Sequence, residues 1–245
     1  MSVSIDTVYQ RVLGILNKEQ RGYLTPQEFN LFANQAQQDL FEQYFYDINQ
    51  FGRISGNSTE YSDMLTLLNE KINIFETIGP PASVSGVVNF SLPSDLYRLG
   101  SVVYKNQTTD AFGVTSTESI EAERINANEF LYINSSPLTK PKNIRPIFIS
   151  TSQGIKVYGD SEITDINKID IQYIKNPAEV SWAYRTVLGE ALYDASNSVN
   201  FELHKSEEVE LVFKILELAG ISTRNLDVYQ VFDKEDNQKV QQQKS

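Results

Sequence analysis

The stretch GPPAS at residues 79–83 decides the fold, because the spacing of apolar residues along the chain changes there. Upstream of it, apolar side chains recur at the three- to four-residue spacing of an amphipathic helix. Downstream, apolar and polar residues alternate in short runs, which is the spacing of a β-strand. Consecutive prolines cannot continue a helix, since each lacks a backbone N–H donor. The sequence therefore predicts helices before residue 79 and a β-rich segment after it.

Three helices are predicted in the first part of the chain, over residues 5–16, from Pro26 to about Asn49, and over residues 61–75. Their core positions are Ile5, Val8, Tyr9, Val12 and Leu16, then Phe29, Phe32, Ala33, Ala36, Leu40, Tyr44 and Ile48, then Tyr61, Met64, Leu65, Leu68, Ile72 and Phe75. Further aromatic residues broaden the apolar stripe of the second helix, namely Phe41, Phe45, Tyr46 and Phe51. Such a width is typical of a helix contacted on two sides.

The segment NKEQRGYLTPQE at residues 17–28 has part of the pattern of a calcium-binding EF-hand loop. Arg21, however, stands at a loop position where the ion needs an oxygen ligand, and its fixed positive charge opposes a divalent cation. The same letters also fit a capping box, with Thr25 as N-cap, Pro26 at the first helical position and Glu28 three residues after the cap. The sequence favours a helix start over a metal site.

From Val84 to about Lys175 the chain is predicted to form short strands separated by Asn, Gly, Pro and Asp. The strand candidates are SGVVNFSLP, LGSVVYK, RPIFIST, GIKVYGD and KIDIQYIK. Their alternation is typical of an antiparallel sandwich or barrel. Between them, residues 116–136 are expected to form a short helix or an ordered loop.

Helices are predicted to return at NPAEVSW, residues 176–182. One is expected from Trp182 to Val199, and another over residues 206–220 with Ser206 as N-cap and Gly220 as the left-handed residue at its end. The fold class is α+β, with a helical bundle formed by the N- and C-terminal helices around an inserted antiparallel β domain. The predicted segments are residues 1–80 and 177–229 for the bundle, 81–176 for the β domain, and 230–245 for a flexible C-terminal arm.

Composition excludes several classes of function. The 245 residues contain no cysteine and one histidine, which removes disulfides, thiolate metal sites and most nucleophilic catalysis. His204 lies in a polar run and is expected to be an exposed residue near a helix start. The formal net charge of −11 opposes binding to phosphate backbones. Since no stretch approaches 18 consecutive apolar residues and the N-terminus lacks a leader pattern, neither a membrane span nor a secretory leader is predicted.

Catalysis by carboxylates alone stays open as an alternative. A carboxylate-dependent hydrolase would use YGD at residues 158–160 or NEF at residues 128–130 in a cleft. The sequence contains no nucleophile elbow, phosphate-binding glycine loop or metal motif that would support an enzyme. A small calcium-regulated binding module built on residues 17–28 is a third possibility, which Arg21 opposes. We therefore predict no catalytic residue, cofactor or metal.

Five strings in order along the chain resemble the ring proteins of crAss-like phages, a group similar to the head-to-tail adaptor and tail tubular proteins of short-tailed phages. The strings are NKEQRGYLTPQEFNLFANQAQQDLFEQYFYD (17–47), LPSDLYRLGSVVY (92–104), RPIFISTSQGIKVYGD (145–160), IDIQYIKNPAEVSWAY (169–184) and FELHKSEEVELVFKILELAGI (201–221). The resemblance covers nearly the whole chain and rests on the order of the strings.

The resemblance implies a helical bundle with an inserted β domain, assembled in twelve copies as a ring beneath the portal in the neck or tail. Such a virion protein is assembled in the host cytoplasm, and its partners are further copies, the portal protein or adjacent ring and tail proteins. Double-stranded DNA passes through the lumen without specific binding, and no membrane is involved. Negative charge facing the channel would lower the drag on DNA, although it could equally lie outside for solubility.

Candidate subunit contacts follow from this resemblance. Thirteen Tyr and thirteen Phe exceed what a modest core requires, although an ordinary aromatic core also accounts for them. A closed ring needs two different complementary faces on each subunit. One face is assigned to the aromatic helix and its start, with Phe41, Tyr44, Phe45, Tyr46, Phe51 and Arg21. The β domain and the arm from about Gln230 are candidates for other contacts.

Overall fold

The computed structural model describes residues 2–18, 24–51, 59–83, 90–109, 115–187 and 190–222. The chain divides into two compact units. The helical unit combines residues 1–74 with 177–245, and the β unit is Phe75–Asn176. The sequence placed the corresponding boundaries at residues 81 and 176. The change from helix to strand comes earlier than predicted, because the third helix ends at Asn73 and a strand occupies Glu76–Gly79, before the prolines. The fold is mixed α and β with antiparallel sheet, and no helix among the described residues is long and apolar enough to cross a membrane.

The helices are α1 (Ile5–Lys18), α2 (Pro26–Phe51), α3 (Thr59–Asn73), α4 (Ala127–Ser135) and α5 (Glu208–Ser222). The strands are β1 (Glu76–Gly79), β2 (Ala82–Ser83), β3 (Phe90–Ser91), β4 (Leu96–Thr109), β5 (Thr115–Glu121), β6 (Glu123–Ile125), β7 (Ile147–Thr151), β8 (Gly154–Tyr158), β9 (Glu162–Ile163), β10 (Ile169–Lys175), β11 (Tyr184–Val187) and β12 (Glu190–Tyr193). Short 3₁₀ turns occupy Ile166–Lys168 and Lys205–Glu207.

The β unit contains two sheets that share one buried cluster. The first is antiparallel in the order β1-β10-β4-β5, and the second has the order β2-β3-β8-β7-β6 with β9 on β8. Val102 and Ile171 of the first sheet lie in the same cluster as Phe148 and Ile155 of the second. The pairing of β6 with β7 is parallel, which alternation alone did not predict. The predicted antiparallel sheet is confirmed.

Gly154 allows the turn between β7 and β8. Its φ of +131° is strained for any residue with a side chain, and an added Cβ would lie 2.1 Å from the carbonyl oxygen of Phe90. The hydroxyl of Thr151 donates to the Gly154 carbonyl across the same turn (2.9 Å). A glycine is therefore required where the hairpin passes close to β3.

Residues 116–136 contain more sheet than the sequence predicted. Thr115–Glu121 forms β5, which pairs with β4 along its whole length, and β6 follows directly. The predicted short helix is present as α4. The sequence did not reveal β5, because six of its seven side chains face solvent and no apolar alternation marks the strand.

The core of the helical unit agrees with the predicted helical spacing. Ile5, Val8, Tyr9, Val12 and Leu16 of α1 are all buried, as are Phe29, Ala33, Ala36 and Leu40 of α2. The buried side chains of α5 are Leu211, Val212, Ile215, Leu216 and Ala219, and those of α3 include Leu68 and Ile72. Apolar stripes of this kind are buried against neighbouring elements, and here they supply most of the unit's core.

The predicted helix from Trp182 to Val199 is wrong. We call residues 177–203 the returning segment. It begins as extended chain, and within it β11 and β12 form an antiparallel hairpin. Val3 forms a β-bridge with Phe201, which fixes the end of this segment. The helical spacing of the apolar residues did not decide the backbone conformation here. Side chains of α2 bind the backbone of residues 178–182 instead, as described below.

The start and end of α5 also differ from the prediction. His204, not Ser206, is the N-cap: its Nδ1 accepts the backbone N–H of Ser206 (3.3 Å) at the start of the 3₁₀ turn that leads into the helix. Gly220 is not the terminal left-handed residue, because α5 continues to Ser222. His204 is exposed near a helix start, as predicted.

Candidate functional site

The start of α2 is a capping box, as predicted. The backbone N–H of Thr25 donates to Glu28 Oε2 (3.0 Å), and the backbone N–H of Glu28 donates to Thr25 Oγ1 (3.3 Å). These donors lower the pKa of the Glu28 carboxyl, chiefly through the Thr25 backbone and then through its hydroxyl. Glu28 would be the last ligand of an EF-hand, but here its carboxylate caps its own helix. No metal-ligand cluster occurs among the described residues, and Arg21 lies outside them.

The aromatic residues of α2 divide between core and surface. Phe41 is fully buried and Tyr44 is 4% exposed, so both belong to the core of their own chain and present almost no surface to a neighbour. Phe45 is half-buried and packs edge-on against Phe41, with the ring centroids 5.1 Å apart. Tyr46 is 56% exposed. The side chain of Phe51 lies outside the described part of the structure.

A row of amides on α2 binds the returning segment. Asn34 donates to the carbonyl of Val180 (2.9 Å) and accepts its N–H (2.8 Å). Asn30 contacts Trp182 in the same two ways (3.3 and 2.8 Å). Gln37 donates to the carbonyl of Ala178 (2.8 Å) and accepts the N–H of Glu202 (3.2 Å). We call these three side chains the amide ladder.

The amide ladder works because two spacings match. Helix residues four apart advance about 6 Å along the axis, and alternate residues of extended chain advance about 6.6 Å. An amide carries both a donor and an acceptor, so Asn30 and Asn34 each replace one residue of a neighbouring strand. Gln37, three residues after Asn34, instead joins Ala178 to Glu202. The sequence shows Asn30, Asn34 and Gln37 on one helix face beside the apolar stripe. That pattern could have indicated a bound extended segment.

The ladder holds the base of the β11–β12 hairpin. Trp182 is buried, its Nε1 donates to Asp6 Oδ1 (3.0 Å), and its ring stacks with those of Tyr184 and Tyr193 at 5.8 Å each. Asp194 accepts hydrogen bonds from the side chains of Arg185 and Asn197 (2.8 Å each). The Arg185 guanidinium and then the Asn197 amide lower the pKa of the Asp194 carboxyl.

Beyond this base the hairpin exposes apolar side chains. Tyr184, Val187, Leu192 and Tyr193 are each between 37% and 52% exposed. Among the described residues, β11 and β12 form a sheet of only two strands. A two-stranded sheet is marginally stable in water, and its open edges are templates for pairing. The hairpin therefore presents an apolar, open-edged surface.

A second feature of the helical unit is a cavity of about 410 Å³ lined by α2, α3 and the start of α5. Carboxylates are prominent in its lining, so we call it the acidic cavity; they are Asp47, Glu70, Glu207 and Glu210. Lys71 Nζ lies 2.5 Å from Glu207 Oε1, and the Glu207 side chain is almost fully buried. The same ammonium lies 5.4 Å from the centroid of the Tyr44 ring. One cation is thus already held by a carboxylate and an aromatic face.

The Tyr44 hydroxyl has no hydrogen-bond partner, although it is buried. Burial, followed by the charges of Glu207 and Glu210, raises the pKa of this hydroxyl above its ordinary value. The hydroxyl therefore stays protonated at neutral pH and keeps both its donor and its acceptor capacity.

His204, Ser206 and Glu207 form a hydrogen-bonded chain at the rim of the acidic cavity. Ser206 Oγ donates to Glu207 Oε1 (3.0 Å) and lies 2.8 Å from His204 Nδ1. In a serine nucleophile site the histidine lies between serine and carboxylate, so that it can take the hydroxyl proton. Here the serine lies between the other two, and the chain organises the start of α5.

The carboxylates suggested for a hydrolase are exposed in the β unit. Asp160 follows β8, and its backbone N–H donates to Asn143 Oδ1 (3.2 Å). Glu129 lies in the first turn of α4. Both side chains are exposed to solvent.

No family model and no curated protein matches the chain in sequence.

Proposed function

We propose that the chain is a non-enzymatic structural subunit of a ring in the neck or tail of a tailed phage. Twelve copies would join the portal to the tail and line the channel through which DNA is packaged and ejected. The sequence resemblance to ring proteins of crAss-like phages supports this role. In this proposal the N- and C-terminal helices form one bundle that carries the β unit as an insert, and the protein is part of the virion.

The exposed β11–β12 hairpin is the observation that carries the proposal. Its base is held by Trp182 and the amide ladder, while its apolar side chains remain in solvent. Rigid anchoring lowers the entropy cost of docking, and exposed apolar strands gain most from being covered. A head-to-tail contact in a closed ring needs such a surface on one side of each subunit and a different surface on the other. The hairpin supplies one side, and Tyr46 with the exposed part of Phe45 is a candidate for the other.

The net charge of −11 fits a channel that must pass DNA without binding it. Negative side chains facing the lumen repel the phosphate backbone, so the polymer slides instead of adhering. The electrostatic potential of the lumen in an assembled ring tests whether the negative charge faces the channel. A positive potential would contradict that placement.

Native mass spectrometry and electron microscopy of the chain mixed with its neighbouring virion proteins test the ring. We expect a twelve-membered annulus on the portal axis. Leu192→Lys places a charge on the hairpin and should abolish the annulus while the monomer stays folded. The matched control is Leu138→Lys, because Leu138 is 93% exposed outside the hairpin. A chain that stays monomeric with its neighbours and is absent from purified particles would refute the proposal.

A further inference from the structure

The four most exposed large apolar side chains of the described residues all lie in the β unit, on α4 and the loop that follows it. Each is between 73% and 93% exposed, and they are Leu131, Tyr132, Leu138 and Ile144. α4 has no buried residue, and its inner side packs through Phe130 and Ile133 against the second sheet. The outer side of the helix and the loop therefore present apolar side chains to solvent.

The loop is held against α4 by its own hydrogen bonds. The hydroxyl of Thr139 donates to the backbone carbonyl of Ile133 (3.0 Å). Lys142 and Arg145 form a β-bridge in which each backbone N–H donates to the other residue's carbonyl (3.2 and 2.9 Å). An ordered loop loses little conformational entropy on docking, so its exposed side chains are suited to bind a surface.

The same part of the chain is basic, although the protein as a whole is acidic. Residues 130–159, bounded by Glu129 and Asp160, contain four basic and no acidic residue, whereas the formal net charge of the chain is −11. Two of the four, Lys140 and Lys142, are exposed and form no ion pair with another described residue. A negatively charged partner is attracted to these two ammonium groups.

Six side chains on α4 and its loop thus combine apolar exposure with positive charge. We call them the α4 surface, and they are Leu131, Tyr132, Leu138, Lys140, Lys142 and Ile144.

The composition of the α4 surface distinguishes between anionic partners. A nucleic acid offers mainly phosphates, which would leave the aliphatic side chains uncovered. Protein interfaces are enriched in aromatic residues, Met and Arg and are depleted in Lys. Aliphatic side chains with an aromatic residue and lysines are typical of a surface that enters the boundary between lipid headgroups and acyl chains. The composition therefore favours a lipid bilayer over the other two partners.

We propose that the α4 surface docks on an anionic lipid bilayer. The three aliphatic side chains enter the boundary of the acyl chains, Tyr132 lies at the level of the headgroups, and the two lysines contact lipid phosphates. This contact goes beyond the proposed ring, in which no membrane takes part. It does not rest on the ring either, because the α4 surface lies wholly within the β unit.

Co-sedimentation of the full chain with lipid vesicles tests the proposal. Vesicles of phosphatidylcholine with about 30% phosphatidylglycerol should bind the chain about tenfold more tightly than vesicles of phosphatidylcholine alone. Added salt should weaken the binding, because it screens the attraction between the lysines and the anionic lipid. Equal binding to both kinds of vesicle, or binding to neither, would overturn the proposal.

A pair of lysine substitutions locates the charge that binds the lipid. Lys140→Gln combined with Lys142→Gln should weaken binding to the anionic vesicles about thirtyfold, since each lysine near such a surface contributes about fivefold. The matched control combines Lys168→Gln with Lys205→Gln, which removes two charges outside the α4 surface. Equal losses in the two double variants would show that only the net charge matters and would overturn the proposal.

A pair of leucine substitutions tests whether the apolar side chains enter the bilayer. Leu131→Ser combined with Leu138→Ser should weaken binding about tenfold, because less apolar area leaves water. The matched control combines Leu31→Ser with Leu67→Ser, two exposed leucines of the helical unit. All four positions are exposed, so thermal unfolding should be nearly unchanged in both double variants. Unchanged affinity after the loss of Leu131 and Leu138 would overturn the proposal.

An acidic protein surface is the alternative anionic partner, and a second copy of this acidic chain provides one. Sedimentation velocity of the chain without lipid detects self-association. If the vesicles are not bound, and a salt-sensitive self-association is lost in the Lys140→Gln and Lys142→Gln double variant, the α4 surface contacts protein and the lipid proposal is overturned. Failure to bind vesicles leaves the ring proposal untouched, because the ring is assayed without lipid.

Discussion

The β unit and the returning segment hold extended chain in place by different means. In the β unit, β10 pairs through its backbone with β1 on one side and β4 on the other. In the helical unit, one edge of residues 178–182 is bound by side-chain amides of α2, while on the other edge Ser181 pairs with the backbone of Val199. Both arrangements satisfy the N–H and C=O groups that burial would otherwise leave unpaired.

The difference teaches where alternation in a sequence is informative. A strand inside a sheet must present one apolar face to the core, so β10 alternates buried Ile169 and Ile171 with more exposed residues. Residues 178–182 alternate in the same way, with Val180 and Trp182 buried and Glu179 and Ser181 more exposed, but alternation does not show what binds the backbone. That information is carried by α2, about 145 positions earlier in the chain.

The largest expected effect tests the core of the β unit. Ile171→Ala removes a fully buried side chain of β10 and should lower the free energy of unfolding by about 4 kcal/mol, through lost burial and the cavity left behind. The loss in free energy of unfolding is measured by urea denaturation, with hydrogen exchange of peptides from the β unit as the probe. Ile144→Ala is the control, since Ile144 is 77% exposed, and its cost should stay within about 0.5 kcal/mol. Equal costs for the two variants would show that the shared core is misassigned.

The next effect tests the amide ladder directly. Asn34→Ala leaves both backbone groups of Val180 without partners and should cost about 3 kcal/mol. Trp182 is the only tryptophan and lies in the same segment, so its fluorescence reports the loss during urea unfolding. Asn49→Ala is the matched control on the same helix, because its amide donates only to the carbonyl of Phe45 at an exposed position. If Asn34→Ala were as mild as Asn49→Ala, the returning segment would have to be held by other contacts.

The smallest effect concerns a local contact. Thr25→Ala removes the N-cap hydroxyl of α2 and should lower the free energy of unfolding by about 1 kcal/mol. Urea unfolding measures this loss, and amide hydrogens in the first turn of α2 should exchange faster. Thr7→Ala in α1 is the control, because an exposed threonine within a helix gains a few tenths of a kcal/mol on replacement by alanine. Added calcium should leave the stability of wild type and of Thr25→Ala unchanged. A calcium-dependent rise in the wild type alone would revive the metal interpretation of residues 17–28.

Much of the fold could be predicted because local pattern and tertiary environment agree. The five apolar positions of α1 are all buried, and the capping box of α2 is present. The strands β7, β8 and β10 lie within predicted runs. β5 was missed because its side chains are exposed, so its pairing with β4 leaves no trace in hydropathy. The helix predicted from Trp182 to Val199 was wrong because helical spacing of apolar residues is also compatible with a hairpin whose base alone is buried.

The candidate sites were less predictable than the fold. Phe41 and Tyr44 were expected at a subunit contact, and both lie in the core. The acidic cavity joins Tyr44, Lys71 and Glu207, residues so far apart in sequence that no local motif relates them. Arg21 and the arm from Gln230 lie outside the described residues, so these two predictions stand as they were.

By itself, the sequence determined where α1 and α2 begin and which of their faces are apolar, and it placed the change from helix to strand a few residues too late, because these features depend on residues only a few positions apart. Tertiary structure alone decided that amides of α2 bind the backbone of residues 178–182 and that the β11–β12 hairpin exposes apolar side chains. It also decided that carboxylates distant in sequence line one cavity together with the buried Tyr44. The physical reason is the same in each case: a donor, an acceptor or a charge is satisfied by whatever the fold brings near it, and neighbours in the chain do not identify that partner.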